Sequence, residues 1–175
     1  MVARLVLAIF VLASVAACSA PRLGSAHYEG GDSLIHTSYE AANRLASSIS
    51  RPPPGALLVA TLVDINNLGR SSAFGRTVSE QVSAGLSRNG LSVMEMKYQG
   101  SVYIRQSQGE LVLSRSVADV ANQHQAQAVV AGTYSIGSDV VYVNLKVIRH
   151  ADNVVLAGQD YILPLDNNIR RLLLR

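Results

Sequence analysis

Ten residues, Ala56 to Ile65 (ALLVATLVDI), run almost continuously apolar and are β-branched in places. A strand with one wet face alternates polar and apolar side chains. A run like this one fits a strand buried on both faces, which needs other elements above and below it. That requirement dictates a layered domain with a sheet in the middle and helices packed on it. The flanks supply the helices. Ile35, Tyr39, Ala42, Leu45, Ala46 and Ile49 recur at spacings of three and four, so a helix is expected from near Ser33. Arg51-Pro52-Pro53-Pro54-Gly55 ends it, because proline cannot continue the hydrogen-bond ladder. On the other side Phe74, Val78, Val82 and Leu86 repeat every four residues, with Ser71 or Ser72 as N-cap and Asn89-Gly90 as a left-handed stop.

The remaining elements follow the same rules. Leu91 to Met96 reads as a second strand, and Tyr98 to Leu113 as a hairpin-like excursion turning at Gln108-Gly109. Ser116 and Asp119 resemble a capping box for a helix that turns Val117, Val120, Ala121 and His124 to one face. Ala128 to Ser135 is apolar, Gly137-Ser138 suits a hairpin turn, and Val141, Val143, Leu145 and Val147 alternate with polar residues. Asp152-Asn153 marks another turn, after which Val154 to Leu163 pairs back. The expected fold class is α/β (α+β): a mixed sheet with about three packed helices and a C-terminal antiparallel meander.

At 175 residues, 49% hydrophobic and 15% charged, the chain suits one compact domain and is far from a disordered composition. Its mean hydropathy of +0.22 has a second source. Arg4 precedes an uncharged apolar run, Leu5 to Ala13, and small residues close the segment. This is the form of a signal peptide, and the run falls short of the ~20 apolar residues a spanning helix needs. Val15-Ala16-Ala17-Cys18 resembles the lipobox of bacterial lipoproteins, in which the cysteine thiol takes a diacylglycerol as a thioether. Cys18 is the chain's single cysteine, which also excludes a disulfide framework and a cysteine zinc site. Ser19 in place of Asp implies, by that resemblance, the outer membrane. The expected layout is a signal peptide over 1–17, a tether over 18–31, a domain over 32–165 and a basic tail over 166–175. The thirteen residues from 19 to 31 reach roughly 40 Å when extended.

Charge and chemistry narrow the function. From residue 18 to 165 bases and acids balance at eleven each, while Arg170, Arg171 and Arg175 crowd the end. The pI of 9.2 therefore comes from the termini, and no basic stripe interleaves with aromatics to hold nucleic acid. His27, His36, His124 and His150 are scattered without metal-ligand spacing, so no metal or cofactor is expected. Neither a phosphate loop nor a Gly-x-Ser-x-Gly elbow is present. One anion-binding loop is a candidate: Gly69, Arg70, Ser71 and Ser72 enter a helix after the central strand, with Arg76 one turn on. An ordinary capped turn with solvated arginines is the competing reading. The C-terminal Arg-Leu segment fits a partner dock, an anionic surface, or a helix folded on its own domain.

Leu58-Val59-Ala60-Thr61-Leu62-Val63-Asp64, Gly75-Arg76-Thr77-Val78-Ser79-Glu80-Gln81, Gly109-Glu110-Leu111-Val112-Leu113-Ser114-Arg115 and Val130-Ala131-Gly132-Thr133-Tyr134-Ser135 together resemble the FlgO-domain family of flagellar outer-membrane lipoproteins. Val143-Asn144-Leu145-Lys146-Val147-Ile148 completes the match, which spans roughly residues 34 to 163. Ser83-Ala84-Gly85 departs from it, small residues standing where the family has charged ones. The resemblance implies a domain similar to the α/β module of TolB's N-terminal part. It also implies a non-enzymatic role in motility and flagellar attachment at the outer membrane, with no catalytic residues to carry over. Implied partners are the outer membrane through lipid on Cys18, flagellar basal-body or outer-membrane ring proteins, and further copies of the chain. The rival reading is a periplasmic binding module for an anionic ligand or cell-wall component. Two finer expectations attach to the motifs: a Glu110–Arg115 ion pair, and a Tyr134 hydroxyl that closes the sheet edge by reaching a partner.

Overall fold

The computed structural model describes residues 29–50, 53–95, 104–107, 110–113 and 121–174. The expected signal, Cys18, most of the tether, the Gln108-Gly109 turn, Arg115 and the capping box at Ser116 lie outside them.

Helix α1 (Glu29–Ser48) begins earlier than the expected Ser33. Its inward stripe is Leu34, Ser38, Ala41, Ala42, Leu45 and Ile49, one residue rotated from the sequence reading at its start. Ile35, expected inside, is 47% exposed. The packing of α1 on the third strand of the meander, with Ser38 fully buried, places Leu34 rather than Ile35 over the core. Strands β1 (Leu57–Val59) and β2 (Val63–Asp64) divide the apolar run expected to be continuous. Helix α2 (Ala73–Arg88) follows, N-capped by Ser72, whose hydroxyl accepts the Gly75 N–H at 3.3 Å. Phe74, Val78, Val82 and Leu86 are wholly buried, as the four-residue repeat requires. Burying each such side chain contributes ~1.5–3 kcal/mol. Gly90 ends the segment at φ +80°.

Strand β3 (Val93–Glu95) is followed by β4 (Ile104–Ser107) and β5 (Glu110–Leu113), which pair antiparallel as a separate ribbon. Residues 121–123 are helical. Then β6 (Ala128–Ile136), β7 (Val140–Arg149) and β8 (Val155–Pro164) form the expected meander, and helix α3 (Asn167–Leu173) closes the description. The first hairpin turns one residue later than expected: Gly137 N–H bonds the Val140 carbonyl at 2.8 Å, so Ser138 and Asp139 are its central residues. In the second, Asn153 takes φ +57° while Asp152 holds Arg149 at 2.7 Å and caps the Val154 N–H.

The sheet order is β3-β1-β6-β7-β8, with β2 also along β6. The β3-β1-β6 half is parallel and the β6-β7-β8 half antiparallel, so the sheet is mixed. One face buries Leu57, Val59, Val130, Val143, Leu145 and Val147 under α1, α2 and α3. The other packs Leu58, Ala60, Val129, Ala131 and Ile148 against Ala121 and Ala126. β1 has buried residues on both faces. Helix α3, an expected tail segment, is docked through Ile169, 1% exposed, and capped by Asp166 at 2.8 Å.

Helices α1 and α2 are joined at Asn89 Nδ2 to Asn43 Oδ1 (2.7 Å), with the Arg88 guanidinium 4.9 Å from the Tyr39 ring centre. Where α1 crosses β8, the Ser38 and Tyr161 hydroxyls lie buried against each other without completing a hydrogen bond. Burial pushes the Tyr161 phenol up from 10.0 to about 12, the neighbouring Ser38 hydroxyl pulling the other way. A raised phenol favours the folded state fully below pH 10, and that contribution is lost as pH rises toward 12. Between those pH values the wild type is expected to lose about 2 kcal/mol of unfolding free energy from this group, by the exchange of pKa shift into stability. Urea titrations of the Tyr161→Phe chain should show a correspondingly shallower decline.

Candidate functional site

The candidate loop lies at the point where β1 gives way to β2. Val59 pairs with Val130 and Val63 with Thr133, so four chain steps on one strand match three on its neighbour. The extra residue makes a bulge, and a bulged residue loses its ladder partners. Leu62 recovers both of them from side chains. Its N–H donates to Ser79 Oγ on α2 at 2.8 Å, and its carbonyl accepts Ser71 Oγ–H at 2.8 Å. Ser79 in turn donates back to the Gly75 carbonyl at 2.8 Å. The backbone polar groups of a fully buried residue are thus satisfied by α2 and the turn leading into it.

Two motif glycines make room for this arrangement. A Cβ on Gly75 would stand 2.3 Å from the Leu62 carbonyl oxygen. A Cβ on Gly132 would stand 2.6 Å from the Leu62 side chain. A side chain at Gly75 would displace the Leu62 backbone and one at Gly132 the Leu62 and Leu145 side chains, so both glycines hold the layers at contact distance.

From β2 the chain folds back through a tight loop. Asp64 N–H bonds the Arg70 carbonyl (3.0 Å), Asn67 N–H the Asp64 carbonyl (3.0 Å), and Arg70 N–H the Asn67 carbonyl (2.8 Å). The Asp64 carboxylate accepts the Asn66 N–H at 2.9 Å. Gly69, Arg70, Ser71, Ser72 and Arg76 are brought together as expected, but their hydroxyls are already engaged. Ser71 holds Leu62, and buried Ser72 both caps α2 and accepts the Tyr134 hydroxyl at 2.9 Å. Arg70 and Arg76 are exposed.

Tyr134 is the residue whose role the sequence placed only loosely. Its hydroxyl does reach a partner, yet the strand is internal at that point, flanked by β2 and β7. Its ring meets Phe74 edge-on at 5.3 Å. Burial raises its phenol pKa, countered by the Ser72 hydrogen bond; Asp64 adds to the rise, and Arg70 and Arg76 oppose it.

Elsewhere, an open groove of about 570 Å³ between Ile49, Pro53, Gln127, Arg149 and Leu156 has its cation held by Asp152. Among the described residues no cluster of three or more His, Cys, Asp or Glu side chains suits a metal, and no helix is long and apolar enough to cross a membrane. Side chains of Glu110 and Arg115 lie outside the described ones.

The Ser72–Tyr134 bond joins a strand to a helix start, so Tyr134→Phe is expected to lower stability by about 0.5–1.5 kcal/mol while the ring stays packed. In a double-mutant cycle with Ser72→Ala, read from urea unfolding, the two losses should not add. Ser79→Ala strands the buried Leu62 N–H and should cost more, ~1–3 kcal/mol, in the same titration.

Comparison with known proteins agrees with this architecture. The C-terminal domain of LpoB from Salmonella enterica superposes with a TM-score of 0.51 at 13% identity, covering 72% of this chain and 94% of that one. The corresponding domain from Escherichia coli gives a TM-score of 0.49 at 14% identity, covering 72% and 97%. No curated protein matches the chain. The family model described as FlgO protein matches residues 39–168, from the middle of α1 through β8 and into α3. The chain therefore belongs to the FlgO protein family.

Proposed function

We propose that the chain is a lipid-anchored, periplasm-facing outer-membrane protein that supports flagellar assembly, stability and motility by protein–protein scaffolding. The family match over residues 39–168 carries this reading. The lipobox ending at Cys18 supports the anchor, with 1–17 as the removed signal and 18–31 as the tether. Two or more acyl chains give a stable anchor, since each buried methylene adds ~0.8 kcal/mol. The internal chemistry supports a structural role as well: the hydroxyls gathered at Leu62 bind backbone and one another. Basal-body or outer-membrane ring proteins and further copies of the chain are the proposed partners.

A second reading keeps an anionic ligand or cell-wall component at Gly69, Arg70, Ser71, Ser72 and Arg76. It is favoured by one observation, the exposure of Arg70 just before the α2 N-terminus and of Arg76 in the first turn of that helix. Phosphate titration should then shift the Gly69 and Ser71 amide resonances; unmoved amides would remove this reading.

For the scaffold reading, a strain lacking the protein should swim poorly and lose hook-basal bodies from its envelope. Normal swimming with intact basal bodies would sink it. A Cys18→Ser chain should leave the lipidated membrane fraction.

A further inference from the structure

The sheet ends at β8, whose outer edge is covered by no strand among the described residues. Which of its backbone groups point outward follows from the hairpin. Leu165 N–H donates to the Asp139 carbonyl at 2.7 Å, and the same register sets Leu163 against Val141, Tyr161 against Val143 and Gln159 against Leu145. Bonded pairs alternate along an antiparallel ladder, so these odd-numbered residues turn N–H and C=O toward β7. Gly158, Asp160 and Ile162 turn theirs to solvent, and all three are exposed. Pro164, which has no N–H, closes this free stretch at one end, and the register shift at Leu156 closes it at the other. Within it, Gln159 Nε2 donates to the Asp160 carbonyl at 2.8 Å.

The side chains of the same residues lie on the face of the sheet away from α1. There Tyr142 pairs with Ile162, Asn144 with Asp160 and Lys146 with Gly158. Tyr142 is 50% and Ile162 58% exposed. Asn144 Nδ2 donates to Asp160 Oδ1 at 2.8 Å, but neither Asp160 nor Lys146 has an ion-pair partner among the described residues. On the other face α1 lies inward of the edge. Val143, Leu145 and Val147 of β7 are wholly buried there, whereas Gln159 and Tyr161 of β8 are only half-buried. A further strand has room to approach.

We propose that a second copy of this chain occupies the edge, β8 pairing antiparallel with the partner's β8 about a two-fold axis at Gln159. The pairing rests on the scaffold reading for the expectation that copies of the chain meet, and it names the surface. In that register the segment complements itself. Gly158 exchanges both main-chain bonds with the partner's Asp160, and by symmetry Asp160 does so with the partner's Gly158. Ile162 comes opposite the partner's Leu156, and Tyr161 opposite the partner's Ala157, apolar against apolar. Gln159 leaves the Asp160 carbonyl and meets the partner's Gln159.

Charge selects this register over its neighbours. The two Asp160 side chains stand on a diagonal of ~7–8 Å and repel. Lys146 offsets that repulsion, because Gly158 beside it has no side chain to intervene. The partner's Asp160 lies one strand further on, about 10 Å from Lys146 between α-carbons, within the joint reach of the two side chains. Each lysine thus faces a carboxylate of the other copy, and the four charges sum to zero. An axis at Asp160 would set the two carboxylates directly opposite each other, and an axis at Gly158 would set Asp160 against the partner's Leu156.

Full chain purified in detergent from the membranes of producing cells should sediment at equilibrium as a dimer. Gly158→Pro removes an outward N–H that the single chain leaves unused, and a Cβ there meets only the Leu145 carbonyl oxygen at 3.7 Å. It should raise the dimer Kd by about tenfold or more, as should Lys146→Glu, which brings a third and fourth carboxylate to the axis. Adding Asp160→Lys to Lys146→Glu should restore the dimer. Gln159→Cys should form a disulfide with its counterpart, since non-bonded antiparallel pairs stand ~4.5 Å apart between α-carbons. Asp160→Cys, on the ~7–8 Å diagonal, should not. The mass of the linked peptide separates this bridge from any made by Cys18.

A monomer at every concentration overturns the proposal. So does a dimer unmoved by both Gly158→Pro and Lys146→Glu, or one linked through Asp160→Cys and not Gln159→Cys. If Gly158→Pro unfolds the chain, the charge reversal and the cysteine pair decide. A monomer from a species whose deletion strain swims poorly keeps the scaffold reading and removes the pairing. A dimer linked through Gln159→Cys beside normal swimming does the reverse.

Discussion

The fold turns on the backbone of one residue. Leu62 sits where a buried strand changes register against β6, so neither its N–H nor its carbonyl has a ladder partner. A buried unpaired amide costs as much as a lost hydrogen bond, and two together would be prohibitive in a domain of ordinary stability. Ser79 and Ser71 supply both partners from α2 and its approach. Helix and sheet are therefore joined by hydrogen bonds at depth as well as by apolar contact. That fixes the helix along its axis, which hydrophobic burial, being non-directional, does not do.

Several motif residues that look unrelated in the chain acquire a common purpose from this junction. Gly75 and Gly132 clear space on either side of Leu62. Tyr134 reaches from the same strand as Gly132 to the serine that caps α2. These residues mark a packing site of strand, helix and loop. The hydroxyls of Ser71, Ser72, Ser79 and Tyr134 are engaged by backbone groups and by one another.

Much of the architecture was legible from patterning. The four-residue repeat of Phe74, Val78, Val82 and Leu86, the capping serine and the alternation in β7 each reflect local rules that burial then enforces. Errors arose where the decision was not local. Ile35 and Leu34 are equally apolar, and only the crossing of α1 over β8 selects which points inward. The division of the apolar run at residues 60–62 was invisible because its cause is a register step against β6, some seventy residues away in the chain. The β6–β7 turn moved by one residue for the same reason, since strand pairing sets which residues are left over.

The candidate loop divides in the same way. Its residues were identified from a helix start after a buried strand, and they do converge. What their side chains touch depended on distant partners: Leu62, Tyr134 and the helix above. The sequence by itself determined the class of fold and the equal number of bases and acids from residue 18 to 165, because periodicity and charge are properties of the chain. Only the tertiary structure decided that the hydroxyls close inward on a bulge and that Tyr134 reaches the serine capping α2. Both follow from which elements lie side by side, and in a mixed sheet that is set by pairings far apart in sequence.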